Sequence, residues 1–345
     1  MQYLKEFQDD LRKLIKQINN YKELSNKKIF ISGACGMIGS AIVDVLMYLN
    51  ETEKCNISII AGSRSEEKFK SRFQKYMDSD YLKYTYYEAT APLNIEKNCD
   101  YVIHAAGSAS PITYALAPVE VMQCNIWGMN NILEYAKQNK TKRVMYISSS
   151  EVYGEYKSEL PLVEDRYGFI DFLQPRMCYP SSKRATETLC VSYAKEYGVN
   201  VVISRPGHIY GPTALRDDSK ASSQFARIAQ KKENIILKSA GRQIRSYCYV
   251  YDCASAVLSI LINGVSGDAY NISNKNSICS IRQLAEMFAA VSGSKVVFEN
   301  PSNLELQASN PMDNSSLDAS KLETLGWKGI FDLREGVEKT LNYMD

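Results

Sequence analysis

The stretch Ile29-Phe30-Ile31-Ser32-Gly33-Ala34-Cys35-Gly36-Met37-Ile38-Gly39 constrains the fold more than any other part of the chain. A short apolar run of strand type enters three glycines spaced three apart, and a helical pattern over 38–49 follows at once. Glycines here permit a tight turn and let the backbone approach a pyrophosphate, while the helix N-terminus adds amide donors and a favourable dipole. A ligand-free strand–helix turn is the plain reading of any glycine cluster. Placement between the first strand and the first helix points instead to a dinucleotide cradle made of Gly33, Cys35, Gly36, Met37, Ile38 and Gly39.

The rest of the chain keeps the rhythm this turn requires. Strand-like runs over 28–32, 57–61, 84–87, 101–104, 143–147 and 201–204 alternate with helical patterns that include 38–49, 119–137 and 182–197. Such alternation predicts βαβ units and an α/β, doubly wound parallel sheet of Rossmann type. After Pro206 the rhythm loosens. Residues 207–220 read as loops, followed by helices over 222–231, 253–262 and 281–291 and short strands near 235–237, 270–272 and 296–298. The expected division is an N-terminal amphipathic helix over 1–25, a dinucleotide-binding domain over 26–206 and mainly a smaller substrate-binding lobe over 207–345. In the first segment Leu4, Phe7, Leu11, Leu14, Ile15 and Ile18 recur at helical spacing, and Asp9, Asp10, Lys13 and Lys16 break any signal-peptide core.

Composition narrows the partners. The formal charge is only +2, with no basic stripe, so nucleic-acid binding is not expected, and no apolar run has membrane-spanning length. Nine scattered cysteines with no C-x-x-C pair suit reduced thiols in a cytoplasm. Two histidines, His104 and His208, and no ligand spacing give no metal site. His104, at a strand end among small residues, reads as packing beside the cofactor.

The second strand ends Ile60-Ala61-Gly62-Ser63-Arg64, without the carboxylate that would hold the ribose hydroxyls of NAD. Ser63 is placed to substitute for it, and Arg64 to accept a 2′-phosphate, so NAD and NADP both remain open. Further on, Tyr179 and Lys183 lie four apart at a helix start and share one face. A cation beside a phenol favours the phenolate and makes a base near neutral pH. Ser148-Ser149-Ser150-Glu151 ends a central strand at its carboxyl side, where ligands bind in parallel sheets.

Taken with these, Gly33/Gly36/Gly39, His104-Ala105-Ala106, Asn125, Ser148–Gly154, Tyr179/Lys183, Arg205…Tyr210-Gly211-Pro212, Arg245-Ser246-Tyr247…Asp252 and the tail Asp318…Leu325-Gly326-Trp327 stand in one order. That order resembles the extended short-chain dehydrogenase/reductases of the NAD-dependent epimerase/dehydratase family. Among them the UDP-glucuronate decarboxylases (UDP-xylose synthases) are the most similar, through Ser108-Ala109-Ser110-Pro111…Tyr114, Ser149-Ser150-Glu151-Val152-Tyr153-Gly154 and Pro175-Arg176…Tyr179…Lys183-Arg184. The resemblance implies a cofactor surface that adds Ser63, Arg64, Glu88, Ala105, Ala106, Gly107, Asn125, Ser148, Tyr179, Lys183, Arg205, Gly207 and His208 to the glycine turn. It implies substrate contacts at Ser110, Tyr114, Glu151, Arg176, His208, Gln224 and Arg245. Arg245 suits either a phosphate or a sugar carboxylate. The chain departs from the family pattern at Glu88, His208 and Thr213, and in lacking an arginine over 312–317.

The expected chemistry is C4 oxidation of a nucleotide sugar by NAD, with Ser149, Ser150, Glu151, Tyr179 and Lys183 as catalytic groups and the hydride returned afterwards. Tyr179 would take the hydroxyl proton and Ser149 would hold the C4 oxygen. Ser150, where dehydratases of the family carry an acid, disfavours 4,6-dehydration and leaves decarboxylation ahead of 4-epimerisation. A non-catalytic dinucleotide-binding regulator is the rival from another class, and joint retention of Ser149, Glu151, Tyr179 and Lys183 argues against it. The resemblance also implies a homodimer, in keeping with Ile126, Trp127, Leu189 and Val191 lying beyond the inner faces of two long helices.

Overall fold

The computed structural model describes residues 2–95, 98–107, 109–157, 159–303, 306 and 312–344, the first three as backbone only. Seven strands form one parallel sheet: β1 (Lys28–Ser32), β2 (Ser58–Ser63), β3 (Leu82–Tyr86), β4 (Tyr101–His104), β5 (Arg143–Ile147), β6 (Val201–Pro206) and β10 (Ala269–Ile272), in the order β10-β6-β5-β4-β1-β2-β3. The order reverses between β1 and β4, so a crevice opens above their carboxyl ends. Alternation along each strand builds two cores. Ile29, Ile31, Ile59, Ile103 and Met145 face one side, and Phe30, Val102, Val144, Tyr146 and Ile203 face the other. Helices α2 (Met37–Glu53) and α8 (Val250–Asn263) cover the first face, while α5 (Pro118–Asn139) and α6 (Cys178–Tyr197) cover the second. Burial on both faces is why these strands read as continuous apolar runs.

The two further helices of this half are α3 (Glu66–Arg72), after β2, and α4 (Pro111–Leu116), after β4. The N-terminal helix α1 is Gln2–Ile15. Leu11, Leu14, Ile15 and Ile18 are buried against the first core, and Asp10 pairs with Lys339 at 2.6 Å. The Leu4 side chain lies outside the described residues.

The smaller lobe holds β7 (His208–Tyr210), α7 (Ala221–Gln230), β8 (Ile235–Leu237), β9 (Ile244–Tyr249), β11 (Ile278–Ser280), α9 (Ile281–Ser292), β12 (Val296–Phe298), β13 (Asn314–Ser315), α10 (Ser320–Glu323) and α11 (Leu333–Tyr343). It departs from expectation in two ways. Residues 207–220 are not all loop, because β7 pairs with β9 in parallel. The strand near 270–272 is not part of the lobe. It joins the main sheet as β10, with Ala269 opposite Ile203. The boundary at 206 is therefore crossed twice, since α8 and β10 return to the larger body.

The tail is locked down by Asp252, which is fully buried and accepts bonds from the amides of Ile330 and Phe331, both at 3.1 Å. Among the described residues no helix is long and apolar enough to cross a membrane.

Candidate active site

The glycine turn sits where β1 feeds α2. Gly33 has φ +66°, and a Cβ there would stand 2.8 Å from the backbone of Ala105 and Ala106. A Cβ on Gly39 would run into the carbonyl oxygen of Gly33. Only bare backbone fits these positions, so the amide end of α2 stays open to an anion. Ser32 shapes the same corner, a role that sequence reading missed because a strand-end serine carries no signal of its own. Its Oγ accepts from the Ala106 amide at 3.2 Å and meets His104 Nδ1 at 2.8 Å. Burial pushes His104 down to about 3, so it is a neutral packing residue. Thr213 donates to the Met37 carbonyl at 2.8 Å and ties the small lobe to the turn.

Three buried polar atoms near the crevice have no partner within the described residues: Asn125 Oδ1, Ser148 Oγ and His208 Nδ1. A Cβ on Gly107 would stand 3.1 Å from Asn125 Oδ1 and 3.9 Å from Lys183 Nζ, so Asn125 and Lys183 converge on one small space. Buried orphans cost free energy unless a ligand completes them. The glycine turn and this space together fit a dinucleotide running from the α2 terminus to Lys183. Asn125 itself is positioned by Nδ2, which donates to Ser182 Oγ at 2.9 Å, and Ser182 in turn donates to the Tyr179 carbonyl at 3.0 Å.

At the far end of that path Tyr179 is 6 % exposed. Lys183 Nζ donates to the Ile147 carbonyl at 2.8 Å and lies 5.6 Å from the centre of the Tyr179 ring. The expected lowering of the phenol by Lys183 is not what the chain's own groups produce. Burial pushes Tyr179 up to about 12, and the Glu151 charge pushes the same way. Hydrogen bonds from Ser149 and Tyr114 and the charge of Arg176 oppose that rise. Lys183 itself is brought down by burial to about 8. Ser149 caps a 3-10 turn at Ser150–Tyr153 by accepting from the Glu151 amide at 3.1 Å, which aims Glu151 at the cleft. Arg176 grips Glu151 with two bonds of 2.9 and 3.1 Å. Ser150 is buried at 3 % exposure in the same turn.

Other expected residues divide. Arg245 is 3 % exposed, and its Nη1 donates to the carbonyls of Ile244 and Met312, each at 2.9 Å. No carboxylate among the described residues lies within ion-pair distance of it. His208, in contact with the Tyr247 ring, is pushed down to about 3 by burial and by the charges of Arg245 and Lys220. A buried cation and an imidazole whose Nδ1 has no partner among the described residues thus lie close enough for one charge to act on the other. Ser110, at the start of α4, bonds Ser219 across the cleft at 2.9 Å. Ser108 lies outside the described residues.

Arg205 must be reassigned. Its guanidinium is filled by Glu187, by Tyr153 and Tyr167 hydroxyls and by the Glu164 carbonyl, with the Glu187 pair at 2.7 Å, so it braces the fold and has no donor left for a cofactor. Gln224 is exposed, and its amide is held by the Ser219 carbonyl at 2.7 Å. Arg64 is 78 % exposed and stands 4.0 Å from Glu88, so these two face each other across the mouth of the cradle beside Ser63.

A sequence model of the NAD dependent epimerase/dehydratase family matches residues 29–273, most of the chain. The chain belongs to that family. Members are NAD-dependent enzymes, and the doubly wound parallel sheet is the fold this chain shares with them. Among curated relatives, UDP-glucuronic acid decarboxylase 3 of Arabidopsis thaliana is 33 % identical over 316 residues, covering 90 % of this chain and 87 % of its own. UDP-glucuronic acid decarboxylase 1 of Xenopus tropicalis is 28 % identical over 323 residues, covering 93 % and 73 %. Among solved structures, UDP-glucuronic acid 4-epimerase from Bacillus cereus, in complex with UDP-glucuronic acid and NAD, superposes with a TM-score of 0.77 at 22 % identity, covering 92 % of this chain and 98 % of its own. A dTDP-glucose 4,6-dehydratase from Streptomyces venezuelae gives 0.79 at 20 % identity, covering 92 % and 96 %. The structural likeness establishes the fold shared by epimerases and dehydratases.

Proposed function

We propose that the chain is an NAD-dependent UDP-glucuronate decarboxylase. The observation that carries this reading is the pairing of a relative of that activity, 33 % identical over 90 % of this chain, with a buried Arg245 that bonds two backbone carbonyls and has no carboxylate partner among the described residues. Bound NAD supplies a hydride acceptor for the sugar C4. The chain's own groups do the rest. Tyr179 takes the C4 hydroxyl proton, Ser149 donates to the C4 oxygen, and Lys183 and Asn125 hold the cofactor ribose side of the site. The resulting 4-keto acid loses carbon dioxide when the C5–C6 bond breaks and its electron pair moves to the C4 oxygen. Ser149 and the protonated Tyr179 stabilise that enolate, C5 takes a proton from solvent, and Tyr179 gives its proton back to the C4 oxygen, with the bound cofactor being the group that would supply the returning hydride. Arg245 and His208 receive the substrate's anionic groups. No carboxylic acid is needed for a leaving hydroxyl, which agrees with Ser150 in the turn.

The reading extends to a cytoplasmic homodimer. The outer faces of α5 and α6 leave Val119, Trp127 and Val191 60, 50 and 39 % exposed, an apolar surface suited to a second copy. The test of the activity is incubation with UDP-glucuronate and NAD, followed by mass spectrometry. A product lighter by carbon dioxide, with no net NADH, is expected. An inert UDP-glucuronate alongside a thymidine or cytidine hexose that loses water would make the chain a dehydratase with Glu151 as base.

A further inference from the structure

Tyr114 is absorbed into the reading above only as a substrate contact, yet its placement is unusual for one. It is 2 % exposed and its ring lies flat on that of Tyr179, with centroids 4.5 Å apart and planes 15° from parallel. The two phenols belong to one small buried cluster with Val121 and Cys178. The stack holds the two phenols close enough to interact, and the interaction lowers Tyr179 while it raises Tyr114. Tyr114 also packs beneath the guanidinium of Arg176, whose central carbon is 4.9 Å from the ring centre.

We propose that Tyr114 is a positioning residue for the general base, donating its O–H to the Tyr179 oxygen so that the deprotonated form of Tyr179 is solvated from inside the protein. This rests on the proposed C4 oxidation, in which Tyr179 is the base. The surrounding groups show why a second donor is needed. Facing Tyr179 from the turn after β5 are Glu151, whose negative charge opposes the phenolate, and Ser149, which donates to it. From the 3-10 turn before α6 comes Arg176, which offsets Glu151. From its own helix Lys183 is directed to the Ile147 carbonyl, and from β5 Tyr146 lies under that ammonium at 4.8 Å. Ser149 and Tyr114 are thus the two neutral hydroxyls whose interaction lowers Tyr179, and burial pushes the Tyr114 phenol itself well up, so that it stays protonated. It therefore keeps the proton and donates.

The donor comes from α4, in the segment whose Ser110 bonds Ser219 on the opposite side of the cleft at 2.9 Å. Base strength is thereby linked to the position of a substrate-facing segment rather than set wholly by the Tyr179–Lys183 helix.

The experiment compares wild type, Y114F, Y179F and Y114F/Y179F, all loaded with NAD. The wild-type minus Y179F difference in ultraviolet phenolate absorbance isolates Tyr179, and the same difference in the Y114F background gives its titration without the second donor. Removing one hydrogen bond to a charged acceptor should raise the midpoint by about one pH unit. In parallel, the acid limb of kcat/KM for UDP-glucuronate should move up by the same interval, a roughly tenfold loss at neutral pH that is recovered at high pH. Equal midpoints in the two backgrounds, or an activity loss independent of pH, would overturn the proposal and leave Tyr114 a packing residue. If wild type does not turn over UDP-glucuronate, the decarboxylase reading fails while the absorbance titration still decides the role of Tyr114. A matching thermal midpoint for wild type and Y114F checks that the variant is folded.

Discussion

Glu151 carries a negative charge into a buried site, and the bidentate grip of Arg176 is what makes that tolerable. The pair also places a carboxylate at the edge of the cleft without letting it approach Tyr179 unscreened. Glu151→Gln should therefore separate the two halves of the reaction. C4 oxidation should survive, so that reduced nicotinamide accumulates in the absorbance trace, while formation of the decarboxylated product slows by about a hundredfold. Equal slowing of both signals would show that Glu151 serves the first step. At the cofactor's other end, Arg64 offers a charge to a 2′-phosphate but faces Glu88 at 4.0 Å, which repels the same group. Fluorescence titration should find NADH bound more tightly than NADPH. Arg64→Ala should weaken NADPH by about a further tenfold and leave NADH unchanged. Tighter NADPH in the wild type would reverse the cofactor preference. Much of this chemistry is legible in the chain itself, because Tyr179, Lys183, Ser149 and Glu151 cluster in two short motifs. The Arg176–Glu151 grip and the Tyr114–Tyr179 stack are not, since each joins side chains from separate elements whose approach depends on the folded crevice. Arg205 misleads for the same reason: its motif position suggests a ligand, and only the fold shows Glu187 eighteen residues earlier on α6 filling its guanidinium.

Between elements, the most informative contact is Asp44 on α2. It is 1 % exposed, paired with Arg72 at 3.0 Å and Lys75 at 3.1 Å, and bonded by the hydroxyls of Tyr76 and Tyr251. One carboxylate thus pins α2 to α3, the turn after α3, and α8. Burial opposes its ionisation, but Arg72, Lys75 and the Tyr251 hydrogen bond outweigh that, so the Asp44 carboxyl lies below its ordinary value. A folded value below the unfolded one means that the stabilisation is present above about pH 4 and is lost as pH falls through the folded value. Asp44→Ala strands Arg72 and should cost about 3 kcal/mol in urea unfolding at neutral pH, with a shallower acid dependence than wild type. A change under about 0.5 kcal/mol would show the network to be passive. Strand and helix positions in the first half follow the apolar runs closely because those strands are buried on both faces. The strands β11 and β13 escape sequence reading because they are only three and two residues long, and the six-residue β9 because Arg245 and Ser246 interrupt its apolar run. A three- or four-residue run such as Tyr270–Ile272 reveals that it is a strand but not that its partner is β6, some sixty residues earlier.

For the molecule as a whole, the paired helices α5 and α6 pack their inner faces on the sheet through Met129, Ile132, Leu133 and Cys190, and they leave Met122 and Trp127 on the outside. Light scattering at micromolar concentration should report twice the chain mass, and Trp127→Glu should shift it towards the single chain. A monomer for the wild type would remove the homodimer. The placement of β10 carries a different consequence, for synthesis. The last strand of the large sheet is made only after β7, α7, β8 and β9 of the small lobe, so β6 waits as a bare edge until residues 269–272 arrive to cover it. Neither lobe is a free-standing product of translation. A chain released before that point would expose an unpaired, apolar strand of the kind that seeds intermolecular pairing, which makes the interval between Pro206 and Ala269 the time when this protein most needs a chaperone.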